Sequence, residues 1–181
     1  YFTSKGGSFY GVRVDAGQLT DLWSTELGGN STSSPSVYNG RAYVAVAGRG
    51  QFAAYSGHSI HVIDLGSKTI AYTAETQGYP QTSGLVTTAY EEESGYVYIY
   101  FFDNMTPGKL RVLRDKPGQT RLDYVTTEGK SSTVYTLFTP TGEQAQYAIC
   151  SPIADEYGTV YFKNDSAHLT AFGSKIVSLD V

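Results

Sequence analysis

Apolar and polar residues alternate along the chain in short stretches closed by glycine, proline or aspartate, and long helical windows of mixed apolar and charged residues are nearly absent. Alternation with a period of two predicts half-buried strands, as in Gly11-Val12-Arg13-Val14-Asp15 and Ile60-His61-Val62-Ile63-Asp64. A pattern Gly-x-(Ala/Val)-Tyr-(Val/Ile/Phe) occurs at Gly40–Val44, Gly95–Ile99 and Gly158–Phe162, and Tyr1-Phe2 fits as the tail of a further copy. The reading is an all-β chain built from an internal repeat.

Two further landmarks keep step with that pattern. A turn glycine is followed six residues later by an aromatic residue at Gly17/Trp23, Gly66/Tyr72 and Gly118/Tyr124; Gly173 keeps the offset but leads to Leu179. Asp15-Ala16-Gly17 and Asp64-Leu65-Gly66 have the chemistry of a turn, a carboxylate able to accept backbone N–H bonds before a glycine free to take positive φ. Ser34-Pro35, Ser83-Gly84 and Ser151-Pro152 open the units; the aromatic-to-serine distance is 11 residues twice and then 27, which predicts an insertion in 128–148. Four short strands per unit, A to D, in repeats of about 40 to 50 residues predict β-propeller blades; a sandwich would not predict matching offsets. The layout is a partial blade in 1–27, blades in 31–76 and 80–128, and a last blade in 148–181, with Trp23, Tyr72 and Tyr124 on equivalent D strands. About four blades make half of a seven- or eight-blade ring. The rest is expected from a second copy forming a homodimer, from another chain, or from upstream sequence; a closed four-blade ring is the rival. The chain begins at Tyr1 without Met, so it is read as a mature or excised piece of something longer.

Composition sharpens this picture. Sixteen Tyr and 20 Gly suit strands and turns. The net charge of −4, without a Lys/Arg cluster, argues against a nucleic-acid partner. A single cysteine, Cys150, excludes an internal disulfide framework and is expected to be a buried small residue. No apolar run approaches the roughly 18 to 20 residues that cross a bilayer as a helix, so no transmembrane segment is expected.

The order Ser-Pro, Gly-x-Val-Tyr, apolar-Asp-x-Gly and Leu-Trp resembles the quinoprotein-type (PQQ-like) propeller repeat over nearly the whole chain outside the insertion. The segment "QAQYAICSPIADEYGTVYFKNDS" with "GSKIVSLDV" is further similar to modules of large secreted or wall-attached proteins of Gram-positive gut bacteria. The resemblance implies an extracellular or cell-wall-associated location. Quinoprotein dehydrogenases hold calcium and a quinone over a tryptophan, often beside neighbouring cysteines. One cysteine and one tryptophan, the latter at the repeated inter-blade position, carry over no cofactor site. The expectation is a non-catalytic binding or scaffold module without a cofactor; the alternative is a fragment of a quinoprotein-like oxidoreductase whose active site lies in missing blades.

Candidate chemistry is sparse. Gly57-His58-Ser59-Ile60-His61 has the register of a nucleophile elbow, but a strand follows Ser59 and the fifth residue is not glycine, so Ser59 is read as a strand residue. His58 and His61, three apart, are expected on opposite faces of a strand and so unable to share a metal; His168 has no neighbour at ligand spacing. Glu91-Glu92-Glu93 is read as a solvated turn, with calcium as the alternative. In an up-down meander the B–C and D–A connections share one face. The two longest of these, the B–C loop of the second unit and the insertion, place Arg49, Gln51, Phe52, Tyr55, Tyr135, Phe138 and Gln144 as candidate ligand-binding residues for a protein or glycan partner, since exposed rings offer a platform and amides fix orientation.

Overall fold

The computed structural model describes residues 1–51, 54–127 and 129–172. Strands β1 (Phe2–Thr3), β2 (Ser8–Asp15) and β3 (Gln18–Glu26) form a first antiparallel sheet. Strands β4 (Ser36–Tyr38), β5 (Arg41–Val46), β6 (Ser59–Asp64) and β7 (Thr69–Glu75) form a second, in chain order. The third contains β8 (Leu85–Thr87), β9 (Val97–Asp103) and β10 (Lys109–Asp115), with the single-turn helix α1 (Glu91–Ser94) between β8 and β9. A small hairpin, β11 (Val125–Thr127) and β12 (Lys130–Ser132), follows, and β13 (Tyr135–Phe138) then returns to pair with β10. Strands β14 (Ile153–Ala154), β15 (Val160–Lys163) and β16 (Leu169–Phe172) make the fourth sheet. The fold is all-β, as the alternation predicts.

The sheets pack face to face in chain order. On β5, Ala42, Val44 and Val46 join Phe9, Leu27 and Ile63 between the first and second sheets. The intervening Tyr43 and Ala45 turn the other way, to Ile60, Val62, Val97, Ile99 and Phe101 between the second and third. On β9 the alternate set, Tyr98, Tyr100 and Phe102, meets Phe162 and Phe172 of the fourth sheet. Strands buried on both faces have no polar side, which is why β5 and β9 read as continuous apolar runs. Among the described residues each end sheet packs against a neighbour on one face; Val14, Leu19 and Leu22 at one end and Ile153 and Leu169 at the other are more than 60% exposed.

Trp23 and Tyr72 both lie on the last strand of their sheets, but not in identical register. Trp23 pairs opposite Gly11 and Tyr72 opposite Val62. The first hairpin closes at Asp15/Gln18 and the second at Asp64/Thr69, so the longer turn shifts the register while preserving the face. The half-buried Trp23 indole fills the space over Gly11, where a Cβ would come within 2.3 Å of the ring.

Tyr124 departs from the expected layout: it lies outside any strand and is 58% exposed. The fourth strand of the third sheet is β13, from within the segment read as an insertion. The cause is polar: the Gln119 carbonyl accepts from Arg41 and the Asp123 carboxylate from Tyr96, drawing the chain away from the edge of β10. Tyr135, Leu137 and Phe138 then supply the apolar side that the edge position requires. The expected fourth strand of the last unit, with Gly173 and Leu179, lies outside the described residues. Cys150 is a free thiol of intermediate burial, not a core residue.

Asp103, at the end of β9, has its side chain fully buried beside Arg111, whose Nη1 lies 3.3 Å away without hydrogen-bond alignment. Burial pushes its carboxyl up to about 6, against the opposing pull of Arg111 and Lys109. Because the folded value lies above the ordinary one, the folded chain binds this proton more tightly than the unfolded chain does. Stability from this group is therefore lost as pH rises from about 4 to about 6, by roughly 2 to 3 kcal/mol. Asp64, Asp123 and Asp155 are shifted down by hydrogen bonds and act in the opposite sense. We expect Asp103→Asn to be more stable than the parent above pH 6 and equal to it near pH 4 in urea denaturation; a difference constant across that range would refute the assignment.

Candidate functional site

The connections between sheets are tied by one recurring device. Asn30, after β3, bridges to Gly48, after β5; the Asn30 N–H donates to the Gly48 carbonyl at 2.7 Å and the Ala47 N–H to the Asn30 carbonyl at 2.8 Å. Tyr79 bridges Asn104 in the same manner, and the Asp165 N–H donates to the Tyr147 carbonyl at 3.0 Å. Each D–A connection is thereby fastened to the B–C connection of the next sheet, and both kinds lie on one side of the molecule.

A cleft of about 620 Å3 opens on this side between the end of β3 and the β6–β7 pair. Its floor is a polar square on one face of the second sheet: Ser59 pairs opposite Glu75 and His61 opposite Thr73. The other face of the same strands, with Ile60, Val62, Tyr72 and Ala74, packs into the core between the second and third sheets. One wall is Arg49 with Ser56, Gly57 and His58, held together by reciprocal hydrogen bonds between Arg49 and Ser56 at 2.8 and 2.9 Å. Gly48, at φ 111°, permits that closure, since a Cβ there would stand 2.2 Å from the Ser56 carbonyl oxygen. The opposite wall is Leu27 and Gly28 of the first sheet, and Arg49 Nε donates to the Gly28 carbonyl.

Both His58 and His61 line this cleft. The expectation of opposite faces fails because β6 begins only at Ser59, so strand alternation does not extend to His58. His58 Nδ1–H donates to the Ala47 carbonyl at 2.7 Å, so in the neutral ring Nε2 is the acceptor. His61 Nδ1 lies 2.8 Å from Thr73 Oγ1 and Nε2 lies 3.4 Å from Ser59 Oγ. Burial holds His61 below the usual imidazole range, against a raising contact with the Leu27 carbonyl, so the ring is neutral at pH 7. Ser59 and His61 thus touch, but the third group is a hydroxyl where a hydrolytic triad has a carboxylate.

The candidate residues from the sequence separate into groups. Arg49 lines the cleft. Tyr55 packs edge-on against Tyr79 at 5.6 Å, and Tyr79 lies 5.7 Å from the His58 ring, forming an aromatic rim beside the cleft. Gln51 is exposed on the same loop, and Phe52 lies outside the described residues. Tyr135 and Phe138 do not join them: both pack into the core between the third and fourth sheets, Phe138 with its ring 4.8 Å from Phe172. Gln144, in a short 3-10 turn, accepts from Asn164 through its backbone carbonyl. His61, Thr73 and Glu75 were not singled out as cleft residues, although Ser-x-His opposite Thr-x-Glu, with apolar residues between, signals a strand pair with one polar face.

The other notable polar cluster is structural in geometry. Asp115 is fully buried and accepts from Arg41 Nε at 3.1 Å, Arg41 Nη2 at 3.2 Å, Tyr43 Oη at 2.9 Å and Tyr72 Oη at 2.7 Å. Burial and the Asp115 charge push both phenols well above the ordinary range. The adjoining space is about 10 Å3, too small for a ligand. Glu91 accepts from Tyr38 at 2.6 Å, tying α1 to the second sheet. Among the described residues there is no group of three or more His, Cys, Asp or Glu placed to hold a metal ion, and no helix long and apolar enough to cross a membrane.

Compared with known proteins, the chain matches no protein-family model, and no curated protein aligns with it significantly.

Proposed function

We propose that the chain is part of a β-propeller of PQQ-like repeats and serves as a non-catalytic binding or scaffold module of a bacterial cell-surface protein. The observation that carries this reading is the way neighbouring sheets meet. Their first strands converge: Ser36, opening β4, donates to the Gly84 carbonyl next to β8, and the Ser83 N–H donates to Ser151 Oγ at 3.0 Å, next to β14. Among the described residues, the last strands of the first three sheets lie at the edge opposite their first strands, which supports a reading of the sheets as blades about a common inner line. The exposed apolar faces of the two end sheets support completion of the ring by further blades, from a second copy or another chain.

The non-catalytic part of the proposal rests on the cleft-lining groups, which are hydroxyls, imidazoles and one ion of each sign, without a carboxylate dyad or a triad. Calorimetric titration of the chain with calcium and pyrroloquinoline quinone tests it against the oxidoreductase alternative. We expect no saturable heat; stoichiometric quinone binding would overturn the non-catalytic reading.

A further inference from the structure

The 620 Å3 cleft is the middle of a longer groove. It shares Gly28 and Arg49 with a neighbouring cleft of about 360 Å3 at the top of the first sheet. It shares Thr73, Glu75 and Thr76 with one of about 530 Å3 that reaches the third sheet. The groove therefore crosses three sheets on the side where the B–C and D–A connections gather. Glu26, Arg49, Glu75 and Arg111 alternate in sign along it, with His58 and Gln77 between.

Its chemistry is unusual for a ligand groove, since such sites are mostly apolar with a few polar groups. Here the apolar side chains are Leu27, Leu122 and Val134, and all three pack into the cores between sheets. Carboxylates at Glu26 and Glu75 disfavour polyphosphate. A ligand carrying many hydroxyls, each both donor and acceptor, matches the lining: guanidinium donors, carboxylate acceptors, hydroxyls that do either, and the free Nε2 acceptor of His58. Tyr79 and Tyr55 beside His58 add ring surface suited to the C–H face of a pyranose.

We infer that the groove formed by Glu26, Arg49, His58, Glu75 and Arg111, rimmed by Tyr79, binds a neutral linear oligosaccharide. The inference rests on the reading of the chain as a binding module and names the ligand class of that module. Glu75 accepts from sugar hydroxyls, Arg49 donates to them, and His58 fixes one hydroxyl through Nε2.

The test is calorimetric titration of the full chain with cellohexaose, chitohexaose, xylohexaose and mannohexaose, and in parallel with a neutral Ser/Thr-rich peptide. At least one hexasaccharide is expected to bind with Kd below about 1 mM. Glu75→Gln, exposed and isosteric, is expected to weaken it about tenfold or more while leaving the thermal midpoint unchanged. Tyr79→Ala and His58→Ala should act in the same direction. Saccharide binding indifferent to Glu75→Gln, His58→Ala and Tyr79→Ala would overturn the assignment. Binding of the peptide alone would overturn the saccharide inference and leave the binding-module reading standing; no binding of either would overturn the saccharide inference and leave the scaffold form of that reading.

Discussion

Replacing Asp115 with Ala is expected to destabilise the chain by about 3 to 5 kcal/mol, a large fraction of the total stability of an ordinary domain. Among the described residues the carboxylate is the only partner of opposite charge that Arg41 has in the interior; Asp64, 3.5 Å from Nη1, is partly exposed. Its loss leaves a guanidinium whose side chain is 4% exposed, together with the phenols of Tyr43 and Tyr72, without their acceptor. The penalty is the desolvation of three donors already committed to the interior, not the worth of any one bond. Asp115→Asn keeps the shape and one acceptor oxygen and should fall between parent and Ala variant. The measurement is the urea midpoint, with the slope checked to exclude a change in the unfolded state. A loss under about 1 kcal/mol would mean that the packing of the second sheet on the third does not depend on this cluster.

Phe102→Ala is the second large effect, at about 3 to 5 kcal/mol. Phe102 is fully buried, and its ring meets Phe162 edge-on at 4.8 Å, an aromatic contact between the third and fourth sheets. Phe138 packs on Phe162 at 5.6 Å and on Phe172 at 4.8 Å, so truncation opens a cavity among rings already packed on one another. The fourth sheet has short strands and depends on this face, so amides of β15 and β16 should lose hydrogen-exchange protection before those of β5 and β6. Phe102→Leu retains most of the volume and should lose less than about 1.5 kcal/mol. Equal protection loss throughout the chain in Phe102→Ala would indicate that the sheets unfold as a single unit.

Strands whose burial is dictated by their own composition were legible in the sequence. Gly-Arg-Ala-Tyr-Val and Gly-Tyr-Val-Tyr-Ile announce β5 and β9 because the strand period and the turn glycine are local properties. The displacement of Tyr124 was not legible. It depends on Gln119 and Asp123 finding Arg41, Tyr96 and Arg114, partners that only the packed sheets bring within reach. The same limit applies to the groove: Arg49 was visible as a long-loop residue, but Glu75 and His61 enter through cross-strand pairing and Gly28 from another sheet. The Arg41–Asp115 pair left a faint trace, a charge at a repeat position occupied by Tyr96 and Thr159 in the sister copies.

The double-sided burial of β9 has a consequence for the chain once it is unfolded. Tyr96-Val-Tyr-Ile-Tyr-Phe-Phe102 is a run of seven aromatic and β-branched residues without charge, proline or glycine, a composition suited to dry interdigitation of identical strands. In the native state both faces are hidden by neighbouring sheets and both edges are paired with β8 and β10. Denatured molecules display the whole segment at once, so self-templated cross-β stacking competes with refolding. Heat denaturation of this protein is therefore expected to become less reversible as concentration rises, because stacking of opened third sheets removes chains from refolding.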